Sequence, residues 1–297
     1  MAKLAEREKA KFVINVGDNI YFNGVQDVFD SRFESSFENV YDDSDLLIPW
    51  FTLGGNHDHL GNISAQMDYT NYSSRWTYPE LYYKVSYHFG LNGETSIDFL
   101  MIDTIVLCGN TIDIQGSSLI DWIFAKHKAP EMPEDIEAAN RQWDWIEQHL
   151  AASKSDYLFV VGHYPIYSIS EHGPIKCLID RLDPLLRKHN VSAYFSGHDH
   201  NLQHIKLEQQ ENGVSTTMNY IVSGAGSRTD RSIKNIHAVP ADALLFRYPS
   251  GWNPFSAIGF SNGAFIHVEA RQNKSDFIFY SGTLEEKYRM SLSPRNK

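Results

Sequence analysis

The chain has 297 residues, 42% of them hydrophobic and 13% aromatic, with a formal net charge of −11 and a pI near 5.6. That is enough apolar material for a substantial core, and with no internal break it reads as one domain over residues 1–297. An acidic balance without a basic patch argues against a nucleic-acid partner, and no apolar run approaches the roughly 18–20 residues of a membrane span.

The first ten residues are charged and helix-prone, and they lack the apolar centre of a signal peptide; residues 4–11 are predicted to end a helix. Residues 12–16 form an apolar strand that closes on Gly17-Asp18-Asn19-Ile20-Tyr21. Residues 30–40 have helical spacing, with Phe33 and Phe37 four apart and Asp30 or Ser31 placed to cap the start. The next apolar run, 46–53, closes on Gly54-Gly55-Asn56-His57-Asp58-His59. Residues 61–84, rich in Asn, Ser and Tyr, read as an ordered loop with short helical pieces. Residues 97–102 and 104–107 read as one strand with a polar Asp103 inside it.

Residues 110–135 are irregular and contain Pro130 and Pro133, as in a surface loop with a helical turn. Residues 137–152 predict an amphipathic helix, since Trp143, Ile146 and Leu150 recur at three- and four-residue steps. A strand over 156–161 closes on Gly162-His163-Tyr164-Pro165. A helix over 178–189 follows, with Pro184 a candidate kink. The strand at 191–195 closes on Gly197-His198-Asp199-His200, and a polar segment continues to Gly213. A strand over 218–222 closes on Gly224-Ala225-Gly226, and 264–268 with 276–280 alternate as a late antiparallel pair. Early alternation of strands and helices followed by strands predicts an α/β sandwich with sheets inside and helices outside.

The two cysteines, Cys108 and Cys177, are either free buried thiols or a pair. Four Asn-x-Ser triplets, at Asn62, Asn71, Asn190 and Asn273, lean towards an oxidising secretory compartment and a glycoprotein.

Four polar clusters each follow the carboxyl end of a strand, where open α/β sheets place their ligand crevice. They hold Asp18, Asn19 and Tyr21; Asn56 and His57; His163; and His198 with His200. Residues two apart in an extended segment point to the same side, so His198 and His200 can aim at one point. Each cluster alone is an ordinary polar turn. Together, carboxylate, phenol, amide and imidazole suit one or two transition or hard metal ions, and the absence of thiolates speaks against a structural zinc site.

This ordered set of motifs resembles the calcineurin-like metallophosphoesterases. Tyr21, three residues after Asp18, makes it similar to the purple acid phosphatases of the small animal, tartrate-resistant type. Asn56-His57-Asp58-His59-Leu60-Gly61-Asn62, Glu171-His172-Gly173-Pro174, the run from Gly197 to Gln203 and Ser223-Gly224-Ala225-Gly226 match as well. The resemblance implies an acid phosphatase, a hydrolase of phosphate monoesters on small molecules or phosphoproteins, with a four-layer α-β-β-α sandwich. It implies Fe3+ plus a divalent ion, Fe2+ or else Zn2+ or Mn2+. Asp18 would bridge the two ions, Tyr21 and His200 would hold the ferric ion, and Asn56, His163 and His198 the divalent one. His57 would face the substrate, Asp58 would orient His57, and Glu171 and His172 would stand at the mouth. The resemblance also implies a Cys108–Cys177 disulfide, an exposed loop over 110–135 beside the site, a lysosomal or secreted location and a monomer.

The family's first motif, an aspartate ending an initial strand upstream of Gly17-Asp18-Asn19, has no counterpart here. The expectation is therefore an N-terminally truncated version of the fold, short of one sheet strand and one anionic ligand to the ferric ion. The alternatives are a catalytically impaired isoform or fragment, or a phosphodiesterase of the same superfamily.

Overall fold

A computed structural model of the chain describes residues 1–113, 127–130, 132–211, 213–251 and 263–295. Helix α1 (Ala2–Glu8) leads into β1 (Val13–Asn15), β2 (Trp50–Thr52) and β3 (Trp76–Thr77), which form a parallel sheet in that order. Between β2 and β3 lies α2 (Ile63–Asp68), capped by the Asn62 side chain on Ala65 N. The predicted helix over 30–40 is a short turn over Glu34–Glu38 that buries both Phe33 and Phe37. The Asp30 side chain accepts Arg32 N at 3.0 Å just before it.

Strands β4 (Tyr83–Phe89) and β5 (Thr95–Met101) follow, then α3 (Thr104–Cys108). Here the expected single strand is corrected. It stops at Met101, because the Asp103 carboxylate accepts from Ile105 N and Val106 N and so starts a helix. The short strands β6 (Ile112–Asp113) and β7 (His127–Lys128) pair with each other, and residues 114–126 and 131 of the expected surface loop lie outside the described residues. Helix α4 (Ile136–Ala152) buries Trp143, Ile146 and Leu150 as its spacing predicts. Then come β8 (Tyr157–Val161), α5 (Lys176–Lys188), which runs through Pro184, and β9 (Ala193–Ser196).

The expected polar segment up to Gly213 is instead the ten-residue strand β10 (Leu202–Glu211), paired antiparallel with β11 (Val214–Ser223). Its polarity concealed it: Gln203 and His204 are buried but hydrogen-bonded to Ser168, Asn219 and Tyr288, while Glu208 to Gln210 are exposed. Strand β12 (Leu244–Tyr248) joins the edge of β10. The late pair is present as β13 (Ala264–Ala270) and β14 (Ser275–Ser281), and β15 (Glu286–Leu292) adds a third antiparallel strand.

The large sheet has the order β12-β10-β11-β9-β8-β5-β4, with β5, β8, β9 and β11 parallel at its centre. Side chains alternate across it. Leu100, Leu158 and Val160 face Trp143, Ile146, Leu178 and Leu182 of the helices, while Phe99, Phe159 and Val161 face the two three-stranded sheets. On the outer side, Leu4 of α1 packs on Ile278 and Tyr280. The result is the α-β-β-α order of layers. Strand β1 forms an edge of its sheet, and among the described residues no strand covers its outer side.

Candidate metal centre

The carboxyl ends of β1, β2, β8 and β9 are drawn together. Gly162 N donates to Phe195 O at 3.0 Å, Gly197 N to His163 O at 3.0 Å, and His163 Nδ1 bonds Val16 O at 2.8 Å. Two of the turns that result are left-handed at non-glycine residues, Asp18 with φ 55° and His198 with φ 63°. Such conformations cost about 1 kcal/mol or more each and gather at functional sites. Close approach also excludes side chains: a Cβ on Gly55 would collide with the carboxylate and amide of Asp18.

The Asp18 carboxylate lies at the centre, its two oxygens facing different partners. Oδ1 is 3.3 Å from His163 Nε2 and accepts from His57 N at 3.1 Å. Oδ2 accepts from the Tyr21 hydroxyl at 3.1 Å, and that hydroxyl is 3.0 Å from His200 Nε2. On the Oδ1 side, Asn56 Oδ1 is 3.0 Å from His163 Nε2, and ligand atoms of Asp18, His163 and His198 lie within 4.8 Å of one another. Two donor sets therefore share one carboxylate: Tyr21 and His200 on one side, Asn56, His163 and His198 on the other.

These residues fit a cation. With Nδ1 of His163 turned to a carbonyl oxygen, a neutral ring presents a lone pair at Nε2, facing the oxygens of Asn56 and Asp18. Acceptors facing acceptors in a buried site call for a proton or a metal ion between them. Nearby, His198 Nε2 and Asn56 Nδ2 are buried without a hydrogen-bond partner. The electrostatics agree. Burial pushes the Asp18 carboxyl up, but the His163 and His57 rings outweigh it and hold it below the usual carboxylate range. Burial likewise opposes charge on His163, yet Asp18 raises its pKa. His198 falls well below the ordinary histidine value through burial and neighbouring rings, which leaves it a neutral donor.

His57, Asp58, Glu171 and His172 are the residues expected on the substrate side. His57 is nearly buried, its ring against Tyr21 with centroids 4.6 Å apart and its Nδ1 at 2.7 Å from Phe22 O. Asp58, expected to orient His57, is tied mainly to backbone amides. Asp58 is buried, and its oxygens accept from Asn19 N, Ile20 N, Gly55 N and the Gln66 amide at 2.8–3.2 Å. It joins the loops after β1 and β2, while the Phe22 carbonyl holds the His57 ring. Glu171 and His172 lie at the margin: the His172 ring is 4.0 Å from that of His198, and Glu171 pairs with Lys234 Nζ at 2.9 Å. Glu6 and Glu8 are exposed on α1 and bring no carboxylate to the site.

Three supporting groups escape a reading of the sequence alone. Asp199, flanked by two candidate ligands, accepts from His172 N at 3.0 Å and from Ser168, within a buried network that includes Gln203, Asn201 and Ser170. His59 Nε2 is 2.6 Å from Asp103. Arg228 donates from Nε to His200 Nδ1. The charge of Arg228 in an otherwise small and polar stretch was the available signal; nothing in the spacing aims it at His200.

Residues 1–202 match a model of the calcineurin-like phosphoesterase family. The chain is 41% identical over 296 residues to the mouse tartrate-resistant acid phosphatase type 5, covering 99% of this chain and 82% of that protein. It is 28% identical over 297 residues to purple acid phosphatase 7 of Arabidopsis thaliana, covering 100% of this chain and 80% of that protein. Among solved structures, GAP50, the anchor in the inner membrane complex of Plasmodium, superposes with a TM-score of 0.75 at 25% identity, over 100% of this chain and 82% of that one.

Proposed function

We propose a dinuclear phosphomonoesterase for this chain, which belongs to the calcineurin-like phosphoesterase family and, within it, to the tartrate-resistant and purple acid phosphatases. It is an acid phosphatase with a metal centre. The observation that carries the finer reading is Asp18, whose two oxygens serve two donor sets.

Asp18 would bridge the ions. Tyr21 and His200 would hold Fe3+, since a hard phenolate favours the trivalent ion. Asn56, His163 and His198, neutral donors, would hold Fe2+, Zn2+ or Mn2+. When bound, the ions supply Lewis-acid charge that clamps a phosphate and makes water nucleophilic at acidic pH. The chain's own residues do the rest. Val16 O fixes which nitrogen His163 presents, and the Asp58 bonds hold the loops of Asp18 and Asn56 in register. His57, steadied by Phe22 O, is placed to stabilise the phosphoryl oxygens or to give the leaving alkoxide a proton. Glu171 and His172 border the entry.

The substrate would be a phosphate monoester, on a small molecule or a phosphoprotein, turned over by a monomer. A lysosomal or secreted location is supported by the Cys108–Cys177 disulfide and by exposure of all four candidate glycosylation asparagines. No helix among the described residues is long and apolar enough to cross a membrane. Tyr21 beside Asp18 favours the purple phosphatases over a superfamily phosphodiesterase.

Metal analysis, with turnover of a chromogenic phosphate monoester near pH ~5, tests this reading. Two ions per chain and turnover lost in Asp18→Asn are expected. Two ions bound with no turnover would sink it.

A further inference from the structure

Arg228 rests on His200 in a chain of hydrogen bonds that runs to the centre of the site. Its Nε can only donate, so His200 Nδ1 accepts. A neutral His200 then carries its proton on Nε2, 3.0 Å from the Tyr21 hydroxyl, which in turn donates to Asp18 Oδ2 at 3.1 Å. Each group donates to the next, and the protons on His200 Nε2 and Tyr21 Oη occupy the directions a metal ligand must clear. If His200 ligates through Nε2 as a neutral ring, its proton moves to Nδ1. Two donors, Nδ1–H and Arg228 Nε–H, would then face each other, and the guanidinium must let go.

Among the described residues, the hydrogen-bond partner of the Arg228 guanidinium is His200 Nδ1. Its charge therefore rests on an imidazole, a poor counter-ion. It also opens a cationic stretch, Arg228, Arg231 and Lys234, in a protein of net charge −11. That stretch lies along the site: Asp230 N donates to His200 O at 2.6 Å, and Lys234 Nζ and Ser232 Oγ hold Glu171.

We propose that Arg228 is a substrate-binding residue, released from His200 when the Tyr21–His200 set takes its cation and then paired with the phosphate of the monoester. The planar guanidinium matches two phosphate oxygens at once. The inference rests on the dinuclear reading above, which supplies both the release and the anion.

The test compares wild-type protein with Arg228→Gln and Arg228→Lys, each loaded with iron and zinc and checked for fold by circular dichroism. Inorganic phosphate is titrated calorimetrically, and metal affinity is measured separately by competition with a chelator. In Arg228→Gln, phosphate affinity should fall and KM rise by about tenfold or more, the scale of a lost charged hydrogen bond. Metal affinity should hold or tighten, because a competitor for His200 is gone, and Arg228→Lys should recover part of the phosphate affinity. Unchanged phosphate affinity in loaded Arg228→Gln, or weakened metal binding alone, would overturn the proposal and make Arg228 a support for His200. A wild-type chain that takes up no metal would overturn the dinuclear reading and this inference together.

Discussion

The Tyr21 hydroxyl donates to Asp18 across 3.1 Å, joining the two residues on which the division into two donor sets depends. Without a metal, burial and the Asp18 charge raise the phenol well above its ordinary pKa. A trivalent ion in that position reverses the preference, because its charge favours the phenolate. Tyr21→Phe should therefore abolish the visible tyrosinate-to-iron absorption of the loaded protein. Activity should fall by at least roughly 10–100-fold, the range seen even for groups that only support ligands. A band that survives the substitution would remove Tyr21 from the proposed ferric site.

His57 and Asp58 are neighbours with separable effects. His57→Ala should fold normally and lose roughly 10²–10⁴-fold in kcat, most severely for esters with poor leaving groups. Asp58→Asn places an amide against donors from Asn19, Ile20, Gly55 and Gln66, and should cost about 1–3 kcal/mol of stability. Its activity loss should follow metal content and show no leaving-group dependence. Denaturant melts beside steady-state kinetics separate the two.

The His59–Asp103 pair predicts a pH effect on stability. Burial opposes charge on His59, but Asp103 outweighs it and raises the histidine above its usual value. A raised histidine adds stability that is complete below the unfolded pKa of about 6.5 and fades as pH climbs through the folded value. Melting temperature should thus hold in acid and decline above neutrality. His59→Asn should flatten that decline and lower stability at acidic pH by about 1.5–3 kcal/mol. An identical decline in the variant would assign it to another group.

The Cys108–Cys177 disulfide ties the end of α3 to the start of α5 across 69 residues of sequence. A loop of that length corresponds to roughly 4 kcal/mol in the chain-entropy account. The paired Cys108→Ser and Cys177→Ser variant should lose about that much in a denaturant melt. Its metal content under native conditions should stay the same, since neither sulfur lies among the candidate ligands.

Strand ends were the most legible feature of the sequence. Each is an apolar run broken by glycine, and the glycines at 17, 55 and 197 are where the backbone must turn or another chain segment comes close. The long amphipathic helix was legible from Trp143, Ile146 and Leu150. Asp103 was misread because a lone carboxylate among apolar residues looks the same in a strand or at a helix start until its amide partners are known. Strand β10 was missed because its buried polar residues find partners only in three dimensions. Arg228, Asp58 and Asp199 belong to the same class: their roles depend on contacts that no local pattern encodes.

The last candidate ligand is His200, and the family match stops at 202, yet nearly a third of the chain lies beyond. That remainder clamps β9 from behind: the Phe277 ring stacks on Phe195 at 5.8 Å and meets Phe159 edge-on at 5.8 Å. Phe195 sits three residues before His198, and Phe159 four before His163. A polypeptide cut short near residue 260 would still spell out every candidate metal ligand, but with no wall for β8 and β9 to lean on it would have no rigid cage to offer an ion.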